Sequence, residues 1–263
     1  MLKKRILTAI VAAPLLLVVL FVLPESAARL VIAALVLVGA WEWAAFAGLT
    51  GVFGRLAFVA VTAVLIAVLL LLVLPGESAV DAVFFVAMVW WAVALVWIFL
   101  YPTPVPHAVA AVAGMAVLIP AWLALDLVYR QAPGVLLFML LIVWSADIGA
   151  YFAGKAFGRV KLAPQISPGK TWEGVLGGLL LVALAGGLGA HYFGRPVSVM
   201  LPFCIAIGLI SVVGDLTVSI FKRSAGIKDS GRLFPGHGGL LDRIDGVTAA
   251  APLFALGAHW AGL

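Results

Sequence analysis

The chain has 263 residues, of which 65% are hydrophobic and only 10% are charged, and its mean hydropathy is +1.25. A soluble domain carries about 25% charged residues, so this composition excludes a soluble globular fold and predicts a polytopic membrane protein. The net charge of +5 is concentrated in loops, which argues against nucleic acid as a partner and points to membrane topology.

The apolar sequence divides into nine segments of about the length that crosses a bilayer. A basic head, Met1 to Arg5, precedes an apolar stretch that runs to Pro24. This stretch is interpreted as a retained helix, because no clear small-residue cleavage site ends it. Further spans are predicted at about 27–48, 56–74, 79–101, 107–129, 134–154, 173–193, 197–221 and 244–262. The predicted fold is all-α, with five spans in residues 1–130 and the polar site in residues 131–263.

The distribution of basic residues predicts the orientation of these spans. With a cytoplasmic N-terminus, only Arg29, Arg130 and Arg195 lie outside, and the other thirteen of the sixteen Lys and Arg residues lie inside. This bias predicts a cytoplasmic N-terminus and, with nine spans, an external C-terminus. It also places two long polar segments, about 155–172 and 222–243, on one side, where they can share a site.

Acidic residues such as Glu42, Asp126, Asp147 and Asp215 fall within the predicted spans, where a carboxylate is costly and suggests a function. Glu42 and Asp126 are interpreted as structural hydrogen-bonding or interfacial residues, while Asp147 lies near the cytoplasmic end of its span. Asp215 shares a helical stripe with Ser219 and Lys222. Two interpretations of this stripe stay open: an internal Asp215–Lys222 pair, or a metal ligand beside a phosphate-binding base.

The stretch from Ser219 to Asp245 is densely polar. It holds the bases Lys222, Arg223, Lys228, Arg232 and Arg243 and the acids Asp229, Asp242 and Asp245. Carboxylates suit Mg²⁺, and Lys and Arg suit phosphate. Gly238 and Gly239 let backbone N–H groups approach a phosphate closely, and His237 beside them is a candidate donor or general acid. The combination indicates phosphoryl or nucleotidyl transfer.

The other polar segment contains Lys155 and the run Gly169-Lys170-Thr171. This run is not a P-loop, because the first glycine of that motif would fall at Pro164 and no strand is predicted before it. A helix N-terminus near Thr171 is predicted instead, where Lys170 can bind phosphate.

The pattern S-x-x-K-R-x₄-K-D-x₅-P-x-H-G-G-x-x-D-R-x-D, from Ser219 to Asp245, resembles the signature of bacterial phosphatidate cytidylyltransferases, or CDP-diacylglycerol synthases. The upstream blocks 145–155 and 167–174 resemble that family too, so the resemblance covers about 140–263.

The resemblance implies that CTP and phosphatidate are converted to CDP-diacylglycerol and pyrophosphate. It implies Mg²⁺, with a possible second cation, and a homodimer in the inner membrane with its site toward the cytoplasm. The candidate catalytic residues are Asp215, Lys222, Arg223, His237, Asp242 and Asp245. The candidate substrate-binding residues are Lys155, Lys170, Ser219, Lys228, Asp229, Gly238, Gly239 and Arg243. The candidate metal ligands are Asp147, Asp215 and Asp242.

Two alternative functions are weighed against this hypothesis. An ion-coupled transporter could hold Asp147 and Asp215 in the membrane, but the repeat symmetry expected of one is not evident in the sequence. A CTP-dependent lipid kinase would use the same metal and cations, so analysis of the product is needed to separate the two enzymes.

Overall fold

The computed structural model describes residues 2–72, 77–231, 233 and 238–263. Within these residues, nine helices form almost all of the regular structure, which confirms the all-α fold class. They are α1 Leu2–Phe21, α2 Glu25–Trp43, α3 Val52–Leu72, α4 Glu77–Leu100, α5 His107–Gln131, α6 Pro133–Phe157, α7 Trp172–Tyr192, α8 Val197–Ser224 and α9 Leu241–Ala261. Two short strands, β1 Lys161–Ala163 and β2 Ser167–Thr171, lie between α6 and α7.

Prolines begin several of these helices. Pro24, Pro106 and Pro196 occupy the N-cap positions of α2, α5 and α8, and Pro133 is the first residue of α6. Proline is favourable there because its fixed φ suits the helix and its missing N–H removes no intrahelical hydrogen bond. The Pro-rich links of the sequence therefore become the starts of helices.

Seven of the described helices, α2 to α8, are long and apolar enough to cross a membrane. The chain is therefore a multi-pass membrane protein. The side chains of α1 are described only from Val11 onward. This apolar part, Val11–Phe21, is shorter than the seven helices. Among the described residues α9 does not reach the same hydropathy, so the total of nine spans stays a prediction.

Helix α9 lies in the middle of the bundle, which explains its modest hydropathy. It packs against α2, α4, α5, α6 and α8, and residues 246–252 are all buried. Most of these buried residues are small, so neighbouring backbones can approach closely. A helix surrounded by protein does not need the large apolar side chains of a helix that faces lipid.

Small residues also set the spacing between α6 and α7. A Cβ added at Gly149 would collide with the backbone of Gly177, and one added at Gly178 would lie 2.6 Å from the carbonyl oxygen of Ala146. Close approach through small residues is a common way for membrane helices to associate. The two helices are held together along the part of α6 that carries Asp147.

The link between α6 and α7, a polar segment for which the sequence predicts no strand, forms an antiparallel hairpin. Lys161 pairs with Thr171, and Ala163 pairs with Ser167. The hairpin was hard to predict because its strands are short and the second contains Pro168 and Gly169. Tertiary contact supports it, since its apolar residues Ala163 and Ile166 pack against Leu216 and Ile220 of α8.

The two polar segments lie at one end of the helix bundle. Arg223, at the end of α8, donates from Nε to the carbonyl oxygen of Ile166 in the hairpin at 3.1 Å. The prediction that these segments share one side is thereby confirmed. The opposite end contains the contact of Gln131 with the C-terminal Leu263. Which end faces the cytoplasm stays a prediction, as does the division into residues 1–130 and 131–263.

Candidate functional site

Close approach of three helices sets the position of the candidate site. Gly214 on α8 faces the backbone of α9, and an added Cβ would lie 2.6 Å from the carbonyl oxygen of Asp245. Gly246 lies between Ser211 of α8 and Val143 of α6, and its added Cβ would meet their atoms at 3.3 and 3.4 Å. Helices α6, α8 and α9 therefore meet at the level of Gly246.

Three aspartates converge just beyond this meeting point. Asp147 and Asp215 follow the contact residues of α6 and α8 by about one helical turn, which puts them on the same helix faces. Their carboxylates and that of Asp245 are close enough for their charges to interact. Asp147 is exposed, while Asp215 and Asp245 are half-buried. The cluster is therefore accessible from outside the helix bundle.

Strand β2 brings Lys170 to this cluster. Its Nζ lies 2.7 Å from Oδ2 of Asp215, and the two side chains are 25% and 28% exposed. Ser219 donates from Oγ to Oδ1 of the same carboxylate at 3.4 Å. The next residue, Thr171, caps α7 by accepting the N–H of Gly174 at 3.1 Å, which confirms the predicted helix start. Because the Lys170–Asp215 pair is partly exposed, an anion from solution can compete for the lysine.

A second lysine–aspartate pair lies beside the first and is more deeply buried. Nζ of Lys222 is 2.8 Å from Oδ1 of Asp242, with the side chains 9% and 7% exposed. The other oxygen of Asp242 accepts the N–H groups of Ser230 and Gly239, both at 2.9 Å. The internal Asp215–Lys222 pair considered from the sequence is wrong, because each residue pairs with a different partner.

Glu42, from the N-terminal part of the chain, reaches the same region. Its buried carboxylate accepts the hydroxyl of Ser230 at 2.9 Å and the N–H groups of Leu240 and Leu241 at 2.9 and 2.8 Å. The structure confirms its interpretation as a structural hydrogen-bonding residue, but its partners could not be foreseen. The one sequence signal was a carboxylate between Trp41 and Trp43 within an apolar span.

Asp126 has a structural role at the other end of the bundle. It is buried, and Arg29 donates to its two oxygens from Nε and from a terminal nitrogen at 2.6 and 3.1 Å. Paired hydrogen bonds from one guanidinium satisfy both carboxylate oxygens. The pair joins α2 to α5 and confirms the structural interpretation of Asp126.

Other basic candidates lie nearer the surface. Arg223 is exposed and holds the hairpin through the carbonyl oxygen of Ile166. Arg243 is exposed on the first turn of α9, where its charge acts on Asp147. Lys155 is exposed in the last turn of α6, with its Nζ 5.9 Å from the ring centre of Tyr151. Within the described part of the chain, Lys155 makes no hydrogen bond or ion pair with either lysine–aspartate pair.

Lys228 and Asp229 lie at a separate opening beside Glu42. They line a pocket of about 800 Å³ between the end of α2, the start of α3 and the segment that follows α8. Arg55 contributes a second cation to its wall, and its guanidinium carbon lies 5.5 Å from the ring centre of Trp41. The pocket therefore combines two cations, the carboxylates of Glu42 and Asp229 and an apolar lining.

The glycine-rich turn is described only in part. Gly238 adopts φ +82°, a conformation suited to glycine, and an added Cβ would collide with the carboxylate of Asp242. Gly239 contributes its N–H to that same carboxylate. His237 and Arg232 lie outside the described residues, and their predicted roles stay predictions.

The aspartate cluster has the donor chemistry that Mg²⁺ requires. Among the described residues, no group of three or more His, Cys, Asp or Glu side chains is arranged to hold a metal ion alone. Mg²⁺ is usually held by one or two carboxylates together with substrate phosphates. Asp215, with Asp147 and Asp245 nearby, fits that mode. Both oxygens of Asp242 already accept hydrogen bonds. To bind a metal ion, Asp242 would therefore have to give up its contact with Lys222 or with its backbone donors.

Comparison with known protein families matches residues 3–260 to the cytidylyltransferase family. The chain belongs to this family. The match covers both halves of the chain, whereas the motif resemblance reached only from about residue 140 onward. The cytidylyltransferase relationship therefore includes the helix that carries Glu42.

Relatives support the same assignment over nearly the full length. The chain is 46% identical over 264 residues to the phosphatidate cytidylyltransferase of Pseudomonas aeruginosa, covering 97% of this chain and 96% of the relative. It is 37% identical over 283 residues to the protein of the same name from Haemophilus influenzae, with coverage of 97% and 98%. A Brucella suis protein of that name is 48% identical over 122 residues, 46% of this chain and 45% of the relative. These relatives give no support to the transporter or lipid kinase alternatives.

Proposed function

We propose that this chain transfers CMP from CTP to phosphatidate, forming CDP-diacylglycerol and releasing pyrophosphate. The observation that carries the proposal is the position of two lysine–aspartate pairs, Lys170–Asp215 and Lys222–Asp242, at one end of apolar helices in a cytidylyltransferase-family chain. A lipid substrate needs a site that its acyl chains can reach from the bilayer. CTP is anionic and water-soluble, so it needs an accessible site with positive charge.

The reaction exchanges one phosphorus–oxygen bond for another. An oxygen of the phosphatidate phosphate attacks the α-phosphorus of CTP and forms the new bond. The bond between the α-phosphorus and the oxygen that bridges to the β-phosphorus breaks, and pyrophosphate leaves with that electron pair. A phosphate monoester has a second pKa of about 6, so much of it is a dianionic nucleophile at neutral pH. The proposal therefore assigns no general base to the protein.

The protein's main contribution is to position the two anionic substrates and to offset their charge. Lys170 is the more accessible of the two lysines, and it is proposed to exchange its contact with Asp215 for a phosphate oxygen. Lys222, held by Asp242 at the base of the site, adds a second positive charge. Arg223 can bind phosphate with its terminal nitrogens while its Nε stays on the hairpin.

Mg²⁺ is part of the proposal. Asp215, with Asp147 and Asp245 beside it, would hold the ion, and the assignment of Asp242 as a further ligand stays a prediction. Bound Mg²⁺ would offset negative charge on the triphosphate and on the pyrophosphate that leaves.

We also propose an inner-membrane location with the site toward the cytoplasm, as a homodimer. The location is supported by the excess of Lys and Arg in the segments at the end of the bundle that carries the site. The homodimer rests on the family resemblance alone.

Labelled CTP tests the reaction. The purified protein in detergent is given phosphatidate, Mg²⁺ and CTP labelled either at the α-phosphate or at the γ-phosphate. CMP transfer puts only the α-label into the lipid product, and EDTA abolishes it. Entry of the γ-label into lipid would overturn the proposal in favour of a kinase.

A variant then tests the site. Asp215→Asn should keep its thermal stability but lose about 100-fold or more in turnover. Near-wild-type turnover in folded Asp215→Asn protein would contradict the assignment of this carboxylate.

A further inference from the structure

The buried carboxylate of Glu42 joins two distant parts of the chain. Glu42 is 4% exposed at the C-terminal end of α2, and its three hydrogen-bond donors lie 188 to 199 residues further along the sequence. Two of these donors are backbone N–H groups, one to each oxygen, so both oxygens act as acceptors. Burying a carboxylate is tolerated only where such donors satisfy it.

Two of the three hydrogen bonds fix the start of α9. Leu240 is the N-cap residue of α9 and makes no side-chain capping hydrogen bond of its own. Glu42, which belongs to α2, caps α9 instead by accepting the N–H groups of Leu240 and Leu241. The first N–H groups of a helix have no partner within the helix, and negative charge is favourable near them. The next residue of the helix is Asp242.

The third hydrogen bond connects Glu42 to Asp242 through one side chain. The Ser230 hydroxyl oxygen lies 2.9 Å from Oε2 of Glu42 and 3.1 Å from Oδ2 of Asp242. The Ser230 backbone N–H also donates to Asp242. Two glycines make room for this arrangement, because a Cβ at Gly231 or Gly239 would collide with the Glu42 carboxylate. The segment 229–231 is therefore held between two carboxylates.

We propose that Glu42 is a positioning residue for the cytidylyltransferase reaction and that it acts through Asp242. From α2 it fixes the start of α9 and the segment around Ser230, so that Asp242 keeps Lys222 oriented in the site. This inference rests on the proposed function. It gives the N-terminal part of the chain a direct role in the geometry of the site.

The test is a double-mutant cycle on the full-length protein in detergent, with labelled CTP and phosphatidate. Glu42→Gln keeps the shape of the side chain, but its amide nitrogen cannot accept an N–H group. We expect kcat to fall about tenfold or more, since small displacements of catalytic groups are costly. In the Asp242→Asn background the same change should lower kcat by less than about twofold, because the effect passes through Asp242.

Asp126→Asn is the matched control. It alters another buried, doubly hydrogen-bonded carboxylate, but at the opposite end of the bundle. It should lower the Tm while leaving the kcat of the folded protein unchanged. If Glu42→Gln lowers the Tm by a similar amount and keeps full kcat, Glu42 is only structural and the inference is overturned. Equal kcat losses from Glu42→Gln in the wild-type and Asp242→Asn backgrounds would also overturn it.

Ser230→Ala keeps the inference testable if Glu42→Gln does not fold. It removes the hydroxyl between the two carboxylates but leaves both N–H groups that Glu42 accepts from α9. We expect a severalfold loss of kcat, smaller in the Asp242→Asn background, and an unchanged kcat would contradict the proposal. Failure of the proposed function is recognised separately, because the wild-type protein would then form no CDP-diacylglycerol.

Discussion

Replacing Gly178 with alanine tests whether the spacing of α6 and α7 sets the geometry of the site. The added Cβ would lie 2.6 Å from the carbonyl oxygen of Ala146, whereas ordinary contacts begin near 3.4 Å. The carbonyl oxygen of Ala146 belongs to the backbone and cannot rotate away from the new methyl group. The two helices must therefore separate locally by about 0.8 Å. Overpacking of this kind typically costs about 1–3 kcal/mol.

This separation would displace groups on both helices. Asp147 follows Ala146 directly on α6, and Lys170 lies just before the start of α7. Both would move relative to Asp215 on α8. A misplacement of about 1 Å can lower a rate by about 100-fold, so we expect kcat/KM for CTP to fall by about 10-fold to 100-fold.

The assay compares initial rates with α-labelled CTP and thermal unfolding for two variants. Gly187→Ala lies on the same helix, and apart from its chain neighbours and the nearby backbone of α7, no described atom lies within 4 Å of its added Cβ. It should keep kcat/KM within about twofold of the wild type. If Gly178→Ala matches Gly187→Ala in both rate and stability, the spacing of these helices does not determine the site.

Three further substitutions separate catalytic from structural roles. Asp242→Asn should lower turnover by about 100-fold or more, because buried Lys222 loses its counter-charge. Near-wild-type turnover in the folded variant would show that Asp242 is not part of the site. Arg223→Lys should raise the KM for CTP severalfold. Lysine loses the Nε hydrogen bond to Ile166 and cannot bind a phosphate through two parallel hydrogen bonds. Unchanged kinetics would argue against direct contact between Arg223 and CTP. Asp126→Asn should lower the free energy of unfolding by about 1–3 kcal/mol, a range that takes into account the partial exposure of Arg29. A clear loss of kcat in the folded variant would contradict a purely structural role.

Helix positions and the grouping of the polar segments could be predicted from the sequence. Hydropathy located the helices because a segment whose surroundings exclude water must be apolar along most of its length. The span predicted at 244–262 corresponds to α9, which is less apolar than α2 to α8 because its neighbours are protein. The hairpin before Trp172 was missed, because its few residues have weak strand preference and depend on packing against α8.

The sequence by itself determined that this chain crosses a membrane, that its acids and bases gather in two segments, and that the motif from Ser219 to Asp245 is that of a cytidylyltransferase. Only the tertiary structure decided which charges meet: Lys170 with Asp215, and Lys222 with Asp242. It alone connected Glu42 to the start of α9. A hydropathy pattern reports the medium that a segment prefers, whereas an ion pair or a cap depends on which faces of which helices are brought together by packing.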